Sequence, residues 1–319
     1  MPTPRHGGDL SRLTAPPRHA AVCYRDPDEL LAGTRAFVVD GLAAGEPVLV
    51  AAPARTLELL RARLRLPDRQ VSMVDMRQAG RNPGAIIPQV LLRFATEHPG
   101  RRVRILGEPV WAGRTDEEYP ACVQHEALIN TVFAGRDAYI WCLYDAAGLA
   151  PDRLADAART HPWIGTGGQV WPSRHYQDPA ATTAEFNPPL PEPPAGAVRL
   201  VVRTGTLGQL RQVAIAQAAA AGLPTGRVGD LTIALNELVT NSIQYGGGAA
   251  HAAIWVAGDW VIGQVSDAGH ITDPLAGRIP PAPGHPAGGR GLVVVNALCD
   301  LVRVHTRPGR TTIRVQLHR

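Results

Sequence analysis

The 319-residue chain contains no lysine, and all 32 of its basic residues are arginine. Phosphate-binding loops, Schiff-base enzymes and kinases with a strand lysine all depend on that side chain, so each is excluded as the basis of an activity. The net charge is only +4 and no basic run stands out. We therefore expect no direct binding of nucleic acid.

Long apolar segments are also missing. No apolar run approaches the roughly 20 residues that span a bilayer, and the N-terminus lacks an apolar signal core. These absences predict a cytoplasmic protein that does not enter a membrane. The chain has four cysteines without the spacing of a metal site, which predicts buried free thiols: Cys23, Cys122, Cys142 and Cys299.

The length and a hydrophobic content of 45% leave room for two domains. Five prolines fall within residues 187–194, and such a segment cannot form a helix or a central strand, so we predict a stiff spacer there. The predicted organisation is a disordered segment at 1–17, a domain at 18–180, a proline-rich linker at 181–197 and a second domain at 198–319.

Apolar strands alternate with helical stretches in the first domain. The predicted strands are Ala20–Tyr24, Pro47–Ala51, Gln70–Val74, Arg102–Leu106 and Ala138–Leu143. The predicted helices are Asp28–Leu42, Thr56–Leu64, Ile86–Glu97, Glu117–Phe133 and Pro151–Thr160. This alternation predicts an α/β fold with a doubly wound, mostly parallel sheet that helices cover on both faces.

Polar and aromatic residues cluster around the carboxyl ends of these strands, where ligands bind in such sheets. The simpler interpretation is that the carboxylates cap the following helices or lie solvated in loops. The functional interpretation is a sensory pocket for an unknown small molecule, formed by Tyr24, Asp75, Glu108, Trp111, His125, Tyr144 and Asp145. No Gly-x-Gly-x-x-Gly follows a strand, which argues against a nucleotide site in this domain.

The first indication of function in the second domain is a predicted helix with one polar face. We expect Asp230 to cap it, and the inward stripe is Leu231, Leu235, Leu238 and Ser242. Glu237 and Asn241 lie one turn apart on the other side. Carboxylate and amide oxygens placed in this way suit a magnesium ion that is shared with substrate phosphates.

Two glycine-containing segments follow that helix. Asp267 ends an apolar strand and can accept from an exocyclic amine, while Gly269 lets the backbone turn close to a flat ring. Gly289, Arg290 and Gly291 open a helix whose first amides are free to hold phosphate oxygens. Arg290 can add a charge-assisted contact to the same anion.

Each segment alone also fits a solvated helix face, a simple aspartate turn or a helix entry without a ligand. Their order and spacing favour an ATP site. Residues 198–319 resemble the ATPase domain shared by gyrase, Hsp90, histidine kinases and MutL, and within it the bacterial anti-sigma-factor serine kinases. Glu237 and Asn241 match the N box of that family, Asp267 and Gly269 its first glycine box, and Gly289 and Gly291 its second.

The resemblance implies a mixed sheet backed by helices, with ATP held between the N-box helix and a lid at residues 270–288. It implies that Asn241 binds magnesium, that Asp267 reads adenine with Thr312 nearby, and that Glu237 is the general base. Two departures concern contacts near the phosphates. Gln244 and Tyr245 stand where arginine and histidine are common, and Ser266 stands where arginine is common.

The first domain resembles the MEDS sensory domain of regulators from methanogens and methylotrophs. The matching stretches are residues 19–24, 41–50, 107–111 and 125–130. Together the two resemblances imply a sensor and regulator of bacterial signal transduction and transcription. A homodimer is expected from the family alone.

Two functions fit these observations. The chain is either an ATP-dependent protein serine/threonine kinase that acts on an anti-anti-sigma (STAS-type) partner, or an ATP-loaded switch that sequesters a sigma factor without phosphorylating anything. His125-Glu126 also resembles the start of a histidine kinase phosphoacceptor motif. No two-helix dimerisation bundle accompanies it, so we favour a serine or threonine acceptor.

Overall fold

The structure is a computed structural model and describes residues 8–9, 18–66, 70–280 and 289–319. The strands are β1 (Gly8–Asp9), β2 (His19–Tyr24), β3 (Val48–Ala52), β4 (Val71–Asp75), β5 (Val103–Gly107), β6 (Ala138–Asp145), β7 (Trp163–Thr166), β8 (Gln169–Pro172), β9 (Val198–Val202), β10 (Ala250–Ala257), β11 (Trp260–Asp267), β12 (Leu301–Arg307) and β13 (Arg310–His318).

The helices are α1 (Pro27–Ala43), α2 (Ala54–Leu64), α3 (Met76–Ala79), α4 (Pro83–Ala85), α5 (Leu92–Thr96), α6 (Tyr119–Val132), α7 (Pro151–Thr160), α8 (Pro179–Glu185), α9 (Leu207–Ala220), α10 (Thr225–Tyr245) and α11 (Arg290–Leu298). Ile86–Leu91 is π-helical and Thr204–Thr206 is a 3₁₀ turn. The chain forms two compact units: Met1–Gly80 with Gln89–Phe186, and Arg81–Pro88 with Asn187–Arg319.

The first unit is built on an eight-stranded sheet in the order β1-β8-β7-β2-β6-β5-β3-β4. The six strands from β7 to β4 pair in parallel, while β8 and β1 add antiparallel edges. The predicted mostly parallel sheet is confirmed. The sequence did not reveal β7, β8 or α8, because two of these elements are four-residue strands around the left-handed Gly167-Gly168 turn.

Helices cover both faces of this sheet. Side chains of successive strand residues point to opposite faces, and Ala20 of β2 packs in one core with Phe37 and Val38 of α1. His19, the preceding residue, instead approaches Glu126 of α6. The parallel strands are therefore buried on both sides, which explains their near-continuous apolar sequences.

Part of the predicted disordered segment at 1–17 is ordered as β1, in which Gly8 and Asp9 pair with Val170 and Gln169. The rest of that segment lies outside the described residues.

The second unit has a five-stranded sheet in the order β12-β13-β11-β10-β9. The predicted sheet backed by helices is confirmed, but the predicted mixture of parallel and antiparallel pairs is not. All four strand pairs among the described residues are antiparallel, because β10–β11 and β12–β13 are hairpins and β9 returns alongside β10.

The predicted inward stripe of α10 lies in the core of this unit. Leu231, Leu235 and Leu238 are buried against Val315 and Leu317 of β13. The prediction that Asp230 caps the helix is wrong. Helix α10 begins five residues earlier, after Pro224, whose fixed φ suits a helix start. Asp230 instead pairs with Arg227 at 2.8 Å inside the helix.

The proline-rich segment 187–194 contains no helix or strand, and it lies against the second unit. The side-chain amide of Asn187 donates to the carbonyl of Thr306 at 2.7 Å, and Arg199 donates to the carbonyl of Pro193 at 2.7 Å. These bonds hold both ends of the segment. Within the described residues, we find no helix that is both long and apolar enough to cross a membrane.

The second unit also includes Arg81–Pro88, a segment remote in sequence from its other residues. The side-chain amide of Asn82 donates to the carbonyl of Asn296 on α11 at 2.8 Å. Arg278 donates to the carbonyl of Pro83 at 3.1 Å. Arg81 pairs with the buried carboxylate of Asp300.

Candidate functional site

A cleft of about 530 Å³ opens in the second unit between α10, the end of β11, the start of α11 and β13. Four of the predicted nucleotide-binding residues line it together: Asn241, Asp267, Gly269 and Gly289. They come from three segments that are up to 48 positions apart in the sequence, so the fold creates this proximity.

The carboxylate of Asp267 is held at the inner end of β11. One oxygen accepts from the Ser242 hydroxyl at 2.6 Å and the other from the Gly269 amide at 2.7 Å. A β-carbon on Gly269 would lie 2.8 Å from that second oxygen, so the turn needs glycine. Ser242, which was predicted to lie in the inward stripe of the helix, therefore has the further role of orienting Asp267.

Helix α11 approaches α10 at Gly291. A β-carbon there would lie 2.8 Å from a carboxylate oxygen of Glu237 and 3.0 Å from the side-chain nitrogen of Asn241. The two predicted N-box side chains therefore meet the start of α11 at one place. Glu237 is the sole glutamate in residues 198–319 and is not among the residues that line the cleft.

The start of α11 has the geometry of an open helix N-terminus. Gly289 holds the N-cap position with a φ of 94°, a left-handed value that favours glycine, and among the described residues no side chain caps the helix. Arg290 is the first helical residue and is exposed. The first amides of α11 therefore remain available to an anion.

The structure corrects one predicted site residue on β13. Thr311 and Ile313 line the cleft, whereas Thr312 does not. Strand residues alternate between faces, and Ile313 lies in the core with α10, so Thr312 belongs to the opposite face. Because the two threonines are adjacent and identical, the sequence alone could not show which of them faces the cleft.

Only part of the predicted lid lies in the described structure. Residues 270–280 form turns without helix or strand, and His270, Ile271 and Asp273 from this stretch line the cleft. The remainder, residues 281–288, lies outside the described residues.

Two of the predicted sensory residues in the first unit share hydrogen bonds. The Tyr24 hydroxyl donates to one oxygen of Glu108 at 2.9 Å, and the Thr56 hydroxyl donates to the other at 2.6 Å. Burial raises the pKa of Glu108 to about 7, although both hydrogen bonds oppose that shift. Burial, followed by the charge of Glu108, raises the pKa of Tyr24. The sequence missed Thr56, which lies in the first turn of α2.

The other predicted sensory residues are not gathered around Glu108 by hydrogen bonds. Asp75 caps α3 through the Arg77 amide at 2.9 Å, and Asp145 accepts from the amides of its own turn. Asp75 thus has the simpler capping role, and Asp145 stabilises the loop that follows β6. The Arg114 guanidinium lies 3.7 Å from the centre of the Trp111 ring.

Two further members of that predicted group, His125 and Tyr144, lie in the interior. His125 is 1% exposed and Tyr144 is 2% exposed. The ring of Tyr144 packs edge-on against His161, with centroids 5.7 Å apart. A buried His125 is closed to a phosphate donor, which argues against the histidine kinase interpretation.

Comparison with known families assigns both halves of the chain. Residues 18–162 match the MEDS family, described as a methanogen/methylotroph, DcmR sensory domain. Residues 200–317 match the histidine kinase-like ATPase domain. No curated protein matches the chain.

Among solved structures, the chain is similar to the RsbU and RsbW domains of Rv1364c from Mycobacterium tuberculosis, at 16% identity and a TM-score of 0.29. That match covers 65% of this chain and 49% of the other, so the chain spans about half the length of that structure. By the two family matches alone, the chain carries a MEDS sensory domain at residues 18–162 and a histidine kinase-like ATPase domain at residues 200–317.

Proposed function

We propose that the second unit binds ATP with magnesium in its cleft and transfers a phosphoryl group to a serine or threonine of an anti-anti-sigma (STAS-type) partner. The chain would then act as a signal-responsive anti-sigma regulator. The observation that carries the proposal is the meeting of Glu237 and Asn241 with the open N-terminus of α11, next to a cleft that contains Asp267.

The residues present fit the nucleotide. A cleft of about 530 Å³ lies within the range of roughly 300–1,000 Å³ that is typical of small-molecule sites. Each oxygen of Asp267 accepts one internal bond and keeps capacity for a second. A purine amine is a donor that matches this acceptor, and the apolar side chains of Leu238, Ile271 and Ile313 offer contacts to its ring.

The remaining roles follow from charge. Asn241 offers an amide oxygen to magnesium, while the α11 amides and the exposed Arg290 offer donors to phosphate oxygens. ATP and its metal supply the transferable phosphoryl group and the neutralisation of its charge. Glu237 accepts the proton of the attacking hydroxyl. Asp273, the second carboxylate on the cleft wall, is the competing candidate for that proton.

A transfer assay with labelled ATP and a STAS-type protein tests the proposal. Glu237→Gln keeps the size of the side chain but removes the base, so we expect normal ATP binding and a loss of transfer of about 10²–10⁴-fold. Glu192→Gln is the matched control, because Glu192 is 76% exposed and neither it nor its partner Arg310 lines the cleft.

Three outcomes separate the alternatives. Transfer that survives Glu237→Gln but is lost in Asp273→Asn makes Asp273 the base. If neither variant changes the transfer rate, the assignment of a general base to this cleft is wrong. If transfer is absent while a sigma factor co-purifies only in the presence of ATP, the chain is a sequestering switch and not a kinase.

In this proposal the first unit senses the small-molecule signal. Tyr24, Thr56 and Glu108 form a hydrogen-bonded polar group at the carboxyl ends of β2 and β5, where small molecules bind in such sheets. Native mass spectrometry of the full chain and of Glu108→Gln tests this. A small molecule retained by the first protein and lost from the second supports the role.

A further inference from the structure

Four potential metal ligands converge in the interior of the first unit. They are His19 on β2, Glu126 on α6, Cys142 on β6 and His161, the residue after α7. One donor atom from each lies within 4.8 Å of all the others, and all four residues are buried. None of them belongs to the proposed ATP site. In the sequence, Cys142 was predicted to be a free thiol and Glu126 was named only as the residue after His125.

The orientation of Asn130 determines which nitrogen of His19 carries the proton. The side-chain nitrogen of Asn130 donates to the carbonyls of Ala127 at 3.1 Å and Thr160 at 2.8 Å, so its oxygen remains the acceptor. That oxygen lies 2.8 Å from Nδ1 of His19. Nδ1 of His19 is therefore the donor, and in the neutral ring Nε2 carries the lone pair.

His161 is fixed in the same way. Its Nδ1 lies 2.8 Å from the carbonyl oxygen of Ala157, which can only accept. Nε2 of His161 therefore also carries a lone pair in the neutral ring. Both Nε2 atoms face the same oxygen of Glu126, at 3.0 Å from His161 and 3.7 Å from His19.

In this arrangement the lone pairs of both Nε2 atoms face the carboxylate of Glu126, which is unfavourable unless a cation or a proton lies between them. The two carboxylate oxygens of Glu126 and Nε2 of His161 are buried and make no hydrogen bond with any residue that the structure describes. The sulfur of Cys142 lies 3.7 Å from Nε2 of His19, on the same side. A buried carboxylate in such surroundings is costly unless positive charge accompanies it.

We propose that His19, Glu126, Cys142 and His161 form a structural site for a divalent metal ion of the zinc type. Two imidazole nitrogens, a thiolate and a carboxylate are ligands that zinc takes in tetrahedral sites. Donors at zinc distances are separated by about 3.3–3.7 Å. Three of the six separations are 3.0, 3.7 and 3.7 Å, and the others are at most 4.8 Å, so the four side chains would move inward to hold the ion.

The surroundings match those of metal-bound histidines, which donate their other ring nitrogen to a carbonyl or amide oxygen. Both rings do so here. Binding would release the thiol proton of Cys142 to solvent, and the resulting thiolate and the Glu126 carboxylate balance the two charges of the ion. Since all four positions are filled by the protein, the site is structural.

Metal content is the direct test. The full-length protein is refolded with zinc, freed of unbound metal and analysed by mass spectrometry for zinc per chain. We expect one zinc in the wild type and in Cys122→Ser, and none in Cys142→Ser. Cys122 is a matched control because it is equally buried, on α6, and lies outside the set of four ligands.

The absorption spectrum of the cobalt-loaded protein tests the same ligands by a second method. Wild type and Cys122→Ser loaded with cobalt should show thiolate-to-metal charge-transfer absorption, which Cys142→Ser should lack. Because a core substitution can itself unfold the unit, a third measurement uses the wild type alone. Zinc should raise its thermal midpoint and a strong chelator should reverse the increase.

Two results would overturn the site. One is a refolded wild type that holds no zinc and shows no cobalt–thiolate absorption, in which case extra protons balance Glu126. The other is zinc that Cys142→Ser retains as well as the wild type, which places the metal elsewhere on the chain. ATP binding to the second unit, measured on the same samples, shows whether the proposed function succeeds or fails independently.

Discussion

The two units handle their polar side chains in opposite ways. In the first unit, His19, Glu126 and His161 are enclosed in the core and are at most 5% exposed. In the second unit, Asn241 and Asp267 are half-buried and line a cleft that is open to solvent. A closed group of this kind can hold a ligand only as part of the fold, whereas an open cleft can exchange its ligand.

This difference predicts two kinds of response to mutation. Substitutions in the enclosed group should reduce the stability of the first unit, because each leaves buried partners without compensation. Substitutions in the cleft should reduce ligand affinity and leave stability nearly unchanged. Hydrogen exchange resolved by peptide can follow the two units separately, which a single unfolding curve of a two-unit chain cannot.

Glu126→Ala should have the largest effect. Glu126 is buried, and its carboxylate lies 3.0 Å from Nε2 of His161 and 3.7 Å from Nε2 of His19, so its charge depends on these partners and on a cation or proton held with them. Removing one partner of a buried charged group costs about 3–5 kcal/mol. We expect a loss of that size in the protection of peptides from the first unit.

The matched control for this prediction is Glu97→Ala. Glu97 is 54% exposed and pairs with Arg93 one turn away on a helix surface. Such pairs contribute about 0.3–0.5 kcal/mol. Equal losses in the two variants would show that the enclosed group does not stabilise the first unit.

Glu108 predicts a pH dependence confined to the same unit. Burial raises its pKa from a usual value of 4.5 to about 7. Between these values the folded state binds the proton that the unfolded chain releases, so stability is greatest below the window and falls as the pH rises through it. At about 1.4 kcal/mol per pH unit, the loss approaches about 3 kcal/mol.

The measurement compares the wild type with Glu108→Gln across this pH range. The glutamine can accept one of the two hydroxyl donors but cannot titrate, so the difference between the two proteins isolates the contribution of Glu108. A wild-type stability that rises with pH relative to the variant would contradict the raised pKa.

The sequence predicted local structure well where one residue type carried the signal. The parallel strands were found because they are buried on both faces and read as apolar runs, and the stripe of α10 was found from its spacing. The prediction failed where two adjacent residues were of the same type. Thr311 and Thr312 are identical side chains on opposite faces of β13, and only the register of the sheet separates them.

The enclosed group shows a different limit. Its four members lie on four separate elements, at positions 19, 126, 142 and 161, so no ligand spacing appears in the sequence. The sequence singled out His125 beside Glu126, and the helix turned the adjacent residue towards the other three. Motif spacing detects sites built from one or two neighbouring segments; this group is assembled only by the parallel sheet and the helices that cover it.

Asp267→Asn should separate binding from stability in the second unit. Replacing the carboxylate with an amide leaves an acceptor for one internal donor but removes the charge that favours a bound amine. We expect ATP affinity to fall by about 10–100-fold, equivalent to roughly 1.5–3 kcal/mol for a hydrogen bond to a charged group. Calorimetric titration with ATP and magnesium measures this change.

Asp259→Asn is the matched control, because Asp259 is 77% exposed in the β10–β11 hairpin and faces Arg319. Its ATP affinity should equal that of the wild type. A comparable loss of affinity in both variants would mean that Asp267 has no particular role in the cleft.

The smallest effects come from two glycines in the second unit. The new methyl group in Gly291→Ala would lie within 3.0 Å of both Glu237 and Asn241, so these side chains must move, at a cost of about 1–3 kcal/mol for an overpacked contact. We expect ATP affinity to fall.

In Gly229→Ala, on the exposed side of α10, the methyl group meets nothing within 4 Å. Alanine there should stabilise the helix by about 0.5–1 kcal/mol, because glycine loses more backbone entropy on folding. ATP titration measures the first effect and hydrogen exchange of α10 measures the second. A lower ATP affinity in Gly291→Ala together with greater protection in Gly229→Ala would show that the start of α11 is packed for the two N-box side chains and not merely for close helix contact. A Gly291→Ala protein with unchanged affinity would remove Gly291 from the site.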